Sequence, residues 1–291
     1  MIRIVLLGRT GNNLFQYALG RVLAEKHGVP LVLDATWFDS DGWREVSHLL
    51  KLPIRARVAR SGTLASRALR KLTGKHRWQF GRHPFLIENP EDHSFNPTFP
   101  EAPADCALFG YFQSWRYFAS IEEELRAELT NLLEKGSGQN HRATVARASG
   151  PQPSSLTDPA SVAVHVRRGD FLRNPDFQVC DAAYYQSAMD EMRARLSNPR
   201  FHIFSDDPAW CRRTFSSPDT DIIDSGTAAA NPLCDLRLMS LASHHIIANS
   251  SYSWWAAWIG KKPGQHVILP DRWFNGRIHA PMQDKNAWKS G

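Results

Sequence analysis

Short continuous apolar runs alternate along this chain with stretches whose apolar residues recur every three or four positions. Residues 2–8 (IRIVLLG) form the first run, which is β-branched, leucine-rich and closed by Gly8. It reads as a buried parallel strand. The loop Arg9-Thr10-Gly11-Asn12-Asn13 follows, and helical spacing then runs from Leu14 to a C-terminal stop at Gly28. Residues 29–34 (VPLVLD) give a second strand ending in Asp34. This strand–helix–strand opening predicts a layered α/β fold around a parallel sheet.

Residues 107–118 (ALFGYFQSWRYF) begin as a strand and end in an aromatic cluster, and residues 121–135 (IEEELRAELTNLLEK) form an acid-rich helix. Residues 136–160 are rich in Gly, Ser and Pro, the composition of a linker. The expected division is therefore an N-terminal domain, 1–150, and a C-terminal domain, 151–291. The second half repeats the layered rhythm. Strands are predicted at 161–166, 200–207, 221–224, 244–251 and 267–274, and helices at 182–196, from Pro208, at 235–244 and from Ser251.

Composition narrows the class. The 291 residues are 42% hydrophobic and 11% aromatic, which describes a globular chain with a real core. A net charge of +6 favours anionic partners such as nucleotides, nucleic acid or an acidic membrane. Cys106, Cys180, Cys211 and Cys234 lie far apart with no metal-ligand spacing, so the expectation is free thiols in a reducing cytoplasm and no zinc site. No segment has spanning length, and the N-terminus lacks a signal-peptide pattern. Residues 55–87 hold many Arg and Lys and no acid. The part around 65–78 (ASRALRKLTGKHRW) reads either as a solvated surface segment or as a basic helix adhering to an anionic membrane.

Candidate chemistry gathers at strand ends. In an open parallel sheet, ligands sit beyond the carboxyl ends of the strands. VAVHV (162–166) carries His165 and runs into Arg167, Arg168 and Asp170. A guanidinium pair there suits a phosphate or pyrophosphate, and the competing reading is an ion pair with Asp170. HHIIANSS ends in Asn249, Ser250 and Ser251 before a helix, so the serines either cap that helix or offer it to an anion. Trp254, Trp255 and Trp258 read as core packing beneath the site. Asp206 and Asp207 close a third strand; they suit acid–base work, a metal, a ribose or base, or the cap of the helix that Pro208 begins. Asp235, on the helix before HHIIANSS, is placed to accept the N–H pair of a guanine. GRTGNN fits neither the dinucleotide fingerprint nor the Walker pattern. That disfavours an NAD-type oxidoreductase and a P-loop enzyme.

Four segments together resemble the α-1,2-fucosyltransferases of glycosyltransferase family 11, and more distantly the α-1,6- and protein O-fucosyltransferases. They are GRTGNNLFQYALG, GYFQSWRYF, HVRRGDF with FSDDPAWC, and DLRLMSLASHHIIANSSYSWWAAW, in the family's order from residue 8 to residue 258. The resemblance implies a GT-B-like fold of two facing Rossmann-like domains. The N-terminal domain is then the acceptor side, and the C-terminal domain holds GDP-β-L-fucose without a metal or other cofactor. It also implies roles. His165 and Asp235 would hold guanine, Arg167 the β-phosphate, Ser250 and Ser251 the diphosphate, and Asn12 would reach the phosphate or fucose. Asp206 and Asp207 match an acidic pair of unsettled role.

Departures are visible as well. The family's Gly-Gly-Leu-Gly-Asn-Gln stands here as Gly8-Arg9-Thr10-Gly11-Asn12-Asn13, which places Arg9 and Asn13 as changes on the acceptor side. The glutamate base of the α-1,6 enzymes is replaced by Pro175, with Asp176 beside it. Asp170 and Asp176 are the candidates for that role.

The expected activity is inverting transfer of fucose to O-2 of a β-galactoside, in an oligosaccharide or a lipid-linked glycan. The setting is the cytoplasm, with peripheral contact at the inner membrane face. The alternatives are an α-1,6 or α-1,3 linkage, or a basic nucleic-acid-binding module. The last expects an exposed aromatic stripe, whereas most aromatics here read as core.

Overall fold

The computed structural model describes residues 1–39, 47–60, 84–89, 92–137, 153–223, 232–276 and 281–288. The basic stretch 65–78 lies outside them. The chain divides into two compact units, Met1–Leu125 and Arg126–Gly291. The sequence placed the division at 150, in the Gly/Ser/Pro-rich stretch. Here it falls inside an acidic helix whose later turns belong to the second unit: Arg126 stacks on Trp258 at 4.6 Å, and Arg237 pairs with Glu134 at 2.6 Å.

In the first unit, β1 (Ile2–Val5), β2 (Leu31–Asp34), β3 (Arg57–Ala59), β4 (Phe85–Ile87) and β5 (Cys106–Phe109) form a parallel sheet in the order β3-β2-β1-β5-β4. Helix α1 (Thr10–His27) starts four residues before the predicted Leu14. Gly8, at φ +69°, turns the chain out of β1 so sharply that the supposed loop becomes the first helical turn. The predicted stop is observed. Gly28 has φ 62°, its N–H donates to Glu25 O, and Val29 N–H reaches Ala24 O at 3.0 Å, a Schellman closure. The acidic helix is α2 (Glu122–Ser137), with three glutamates in the first turn, where the helix dipole favours them.

In the second unit, β6 (Ser161–Val166), β7 (Arg200–Ser205), β8 (Thr220–Ile223), β9 (His244–Ile246) and β10 (Val267–Ile268) form another parallel sheet, ordered β10-β9-β6-β7-β8. Beside the one-turn helix Pro153–Leu156, the helices are α3 (Ala182–Arg195), α4 (Pro208–Thr214), α5 (Pro232–Leu241) and α6 (Ser251–Ile259). One core forms where Val162, Val164 and Val166 of β6 meet Tyr185, Ala188, Met189 and Met192 of α3. The strand contributes every second residue and the helix one stripe. Trp254, Trp255 and Trp258 are fully buried with ring centroids 5.2–6.3 Å apart, as core packing requires. These two parallel α/β sheets are the Rossmann-like pair that the α/β, GT-B-like reading expected. Among the described residues, no helix is long and apolar enough to cross a membrane.

Buried histidines make this core sensitive to acid. Burial, above all, pushes His165 down to about 4 and His245 to about 3, and it lowers His202 and His244 too. The unfolded chain takes up protons at these rings from about pH 6.5 downward, and the folded chain resists until much lower pH. Stability is therefore full above pH 6.5 and declines from there toward pH 4. Melting temperatures measured at pH 7.5, 6 and 5 should fall progressively across the last two. A flat profile would contradict the burial of these rings as neutral groups.

Candidate functional site

The second sheet's strand order places β6 and β9 side by side at its centre. The chain leaves them in opposite directions, β6 through α3 to β7 and β9 through α6 to β10. A crevice opens at the carboxyl ends of such a pair. His165 and Arg167–Asp170 leave β6 there, and Ala248–Ser251 leave β9. These predicted residues thus come from adjacent strand ends, with Asp206 and Asp207 following β7, whereas Asp235 lies on α5 and Asp176 on a turn.

The arginines are held by carboxylates. Arg167 donates from Nη2 to Asp170 Oδ1 and forms an ion pair through Nη1 with Asp206 Oδ2 at 2.8 Å, and its guanidinium lies 5.5 Å from the Phe171 ring centroid. Arg168 donates its backbone N–H to Asp206 Oδ1 at 2.9 Å and its Nε–H to Asp207 Oδ2 at 3.1 Å, and it stacks over Trp210 at 3.9 Å. Asp207 also caps α4 by accepting Trp210 N–H at 3.0 Å; that bond first, and Arg168 with it, holds its carboxyl below the usual range. The acidic pair therefore aims and braces the arginines rather than forming a free acid–base couple. Gly169 makes this possible. A Cβ there would stand 2.8 Å from Asp206 Oδ2.

His165 is 7% exposed, and its Nδ1 has no hydrogen-bond partner. A buried unpartnered ring nitrogen costs free energy and is placed to receive a ligand group. Its ring lies 5.5 Å from Tyr252 in the first turn of α6, and the Tyr252 hydroxyl donates to Pro232 O at the start of α5. Burial raises the Tyr252 phenol well above its usual range, and the Asp235 carboxylate adds to the shift, so Asp235 belongs to this same corner. Tyr252 escaped the sequence reading, because an aromatic in SYSWW looks like one more core residue.

Three expectations need correction. Asn249 is a buried pin, not a ligand donor. Its Nδ2 donates to Phe177 O at 3.1 Å and Trp273 O at 2.9 Å, and its Oδ1 accepts from Cys180 Sγ at 3.5 Å. Ser250 occupies the N-cap position of α6 without a side-chain cap bond, but its N–H is spent on Ala248 O at 2.7 Å. Asn13 does not face an acceptor. It is fully buried, donating to Leu7 O at 2.8 Å and Gln16 Oε1 at 3.0 Å. Arg9 is exposed.

Asp170, with 41% of its side chain exposed, is committed to Arg167. Asp176 sits on an exposed turn whose backbone is tied to Asn174 and Asn275, at 3.0 Å and 2.9 Å. Asn12 stands in the first unit, where its Oδ1 accepts from Gln113 Nε2 at 2.8 Å.

Arginines braced by carboxylates beside a buried histidine thus gather at the carboxyl edge of a parallel sheet, and the sequence comparisons give the class. The family model for glycosyl transferase family 11 matches residues 99–289, and the chain belongs to that family. It is similar to an alpha-1,2-colitosyltransferase of Escherichia coli, 29% identical over 92% of this chain and 91% of that one. It is also similar to the galactoside 2-alpha-L-fucosyltransferase SEC1 of Bos taurus, 34% identical over 52% of this chain and 41% of that one. Among solved structures, the fucosyltransferase NodZ from Bradyrhizobium aligns at a TM-score of 0.44 and 16% identity, covering 89% of this chain and 93% of that one.

Proposed function

We propose that the chain transfers a 6-deoxyhexose, L-fucose in the first place, from its GDP-β-linked donor to O-2 of a β-galactoside with inversion at the anomeric carbon. One observation carries the reading. His165, Arg167 and the start of α6 converge at the crossover of the second sheet, and the buried His165 Nδ1 there lacks a partner. In this reading the guanine takes the corner of His165, Tyr252 and Asp235. The diphosphate takes Arg167 and the N-terminal turn of α6.

Two carboxylates already flank Arg167, and its guanidinium keeps further N–H donors for phosphate. Asp170 is the cheaper to displace, being half exposed, whereas Asp206 is also anchored by Arg168 N–H. As the glycosidic bond breaks, charge grows on the leaving diphosphate. A guanidinium and helix-terminal N–H groups stabilise it by fixed electrostatics, so the reading requires no divalent metal. Galactose on an oligosaccharide or a lipid-linked glycan, met in the cytoplasm or at its membrane face, is the proposed acceptor.

Colitose is the competing donor sugar, favoured by the relative that matches over nearly the full length. Incubation with GDP-fucose or GDP-colitose and a panel of β-galactosides in EDTA, followed by linkage analysis, tests both. An α-1,2-linked product is expected without added metal. Products linked elsewhere, or none without Mg²⁺ or Mn²⁺, would overturn the assignment.

A further inference from the structure

The segment that follows Asp170 carries an apolar surface at the same edge of the second sheet. Two single turns of tight helix, Phe171–Arg173 and Pro175–Phe177, bring the rings of Phe171 and Phe177 into a stack, with centroids 4.9 Å apart and planes 28° from parallel. Phe274 packs against Phe177 at 5.6 Å. All three rings stay partly exposed, and Leu172 in the same turn is 49% exposed.

Polar ties hold this surface in place. Leu172 N–H donates to Arg168 O at 2.8 Å, and Asn174 N–H to Phe171 O at 3.2 Å. Asn249, just past β9, donates to Phe177 O at 3.1 Å. Asn275 donates from its backbone to Asp176 O at 2.9 Å and from its side chain to Pro175 O at 2.6 Å. An aromatic pair held open to solvent in this way, instead of folding into the core, offers an apolar contact to a ligand.

Its neighbour says which ligand. The Arg167 guanidinium lies 5.5 Å from the Phe171 ring centroid, within cation–π reach. The ring therefore borders the group that takes the diphosphate in the function proposed above. A single oxygen joins the β-phosphate to the anomeric carbon of the donor, so the sugar has to lie close to that guanidinium. The carboxylates of Asp170 and Asp206 flank Arg167 and suit the sugar's hydroxyl groups. A 6-deoxyhexose also has one apolar corner, the methyl group at C6, and Phe171 is the apolar side chain against the guanidinium.

Resting on that donor-site reading, we infer that Phe171, backed by Phe177, receives the C6 methyl group and makes the site selective for 6-deoxy sugars over their 6-hydroxy counterparts. A hydroxyl placed against the ring gives up water and gains no hydrogen-bond partner from it, and that cost discriminates. Fucose and colitose both lack the hydroxyl, so the ring serves either donor. Every residue involved belongs to the second unit.

The test is calorimetric titration of the full chain with GDP, GDP-fucose and GDP-L-galactose, which differs from GDP-fucose only by a hydroxyl at C6. The wild type should bind GDP-fucose about tenfold more tightly than GDP-L-galactose. Phe171→Ala should bring the two affinities within about twofold of each other, while GDP itself, which lacks the sugar, binds as before. Phe171→Leu, apolar but unable to stack, should show a preference between those two values, and it carries the test should the alanine variant not fold. A preference that survives intact in the folded variants overturns the inference, as does a wild type that does not tell the two sugar nucleotides apart. Equal losses for GDP and both sugar nucleotides would show that the ring only braces Arg167, and would overturn it too. A wild type that binds no GDP would instead refute the donor-site reading itself, and this assignment with it.

Discussion

Arg167→Ala should reduce glycosyl transfer by at least about 10²–10³-fold, the loss typical of removing one donor to a developing oxyanion. Arg167, at the end of β6, bridges two carboxylates from different segments, Asp170 and Asp206. On the proposed function its loss removes the cation that would face the leaving diphosphate, and it breaks the ion pair with Asp206. The stability cost should be modest, about 1–3 kcal/mol, because both acids keep some solvent and Asp206 still accepts Arg168 N–H at 2.9 Å. Arg167→Lys should recover the fold but little of the rate, since an ammonium cannot reproduce the planar fork. Steady-state kinetics with GDP-fucose and a galactoside acceptor, alongside thermal melting, read both quantities. Near-normal kcat in the folded Arg167→Ala protein would remove the arginine from the chemistry.

Gly169→Ala should weaken the same site by a smaller factor and for a different reason. Gly169 does not have a positive φ, so alanine meets no backbone strain there. What it meets is Asp206, with Oδ2 at 2.8 Å and Cγ at 3.3 Å from the new Cβ. That carboxylate is pinned by Arg167 Nη1 and Arg168 N–H, and moving it by a few tenths of an ångström spoils both bonds. We expect GDP affinity to fall about tenfold or more, equivalent to roughly 1.4 kcal/mol. Because the damage passes through one carboxylate, Asp206→Asn combined with Gly169→Ala should cost little more than either change alone. Fully additive losses in binding would show that Gly169 acts by another route.

Particular residues show what the sequence discloses. The strand VAVHV was readable because a parallel strand buried on both faces is a continuous apolar run, and its polar sequel Arg167–Asp170 then had to lie at a sheet edge. Gly28 was readable because a helix stop in the left-handed region favours glycine. Gly8 misled, since nothing local tells a turn of one residue from a loop of five. Asn249 misled for a tertiary reason: the two carbonyls that claim its amide belong to Phe177 and Trp273, 72 and 24 residues away. The cap of the Pro208 helix was legible for Asp207, but the bracing of Arg167 and Arg168 by Asp206 and Asp207 was not, because a carboxylate pair looks alike in sequence whether it moves protons or braces arginines.

The central claim is that the carboxyl ends of β6 and β9 bind the nucleotide of a GDP-sugar through Arg167. Isothermal titration of the full chain with GDP in EDTA, repeated with Arg167→Ala, tests it most directly. The expected result is one saturable site per chain without metal and a large loss of affinity in the variant. No binding heat from the wild type, or equal affinity in the two proteins, would contradict it.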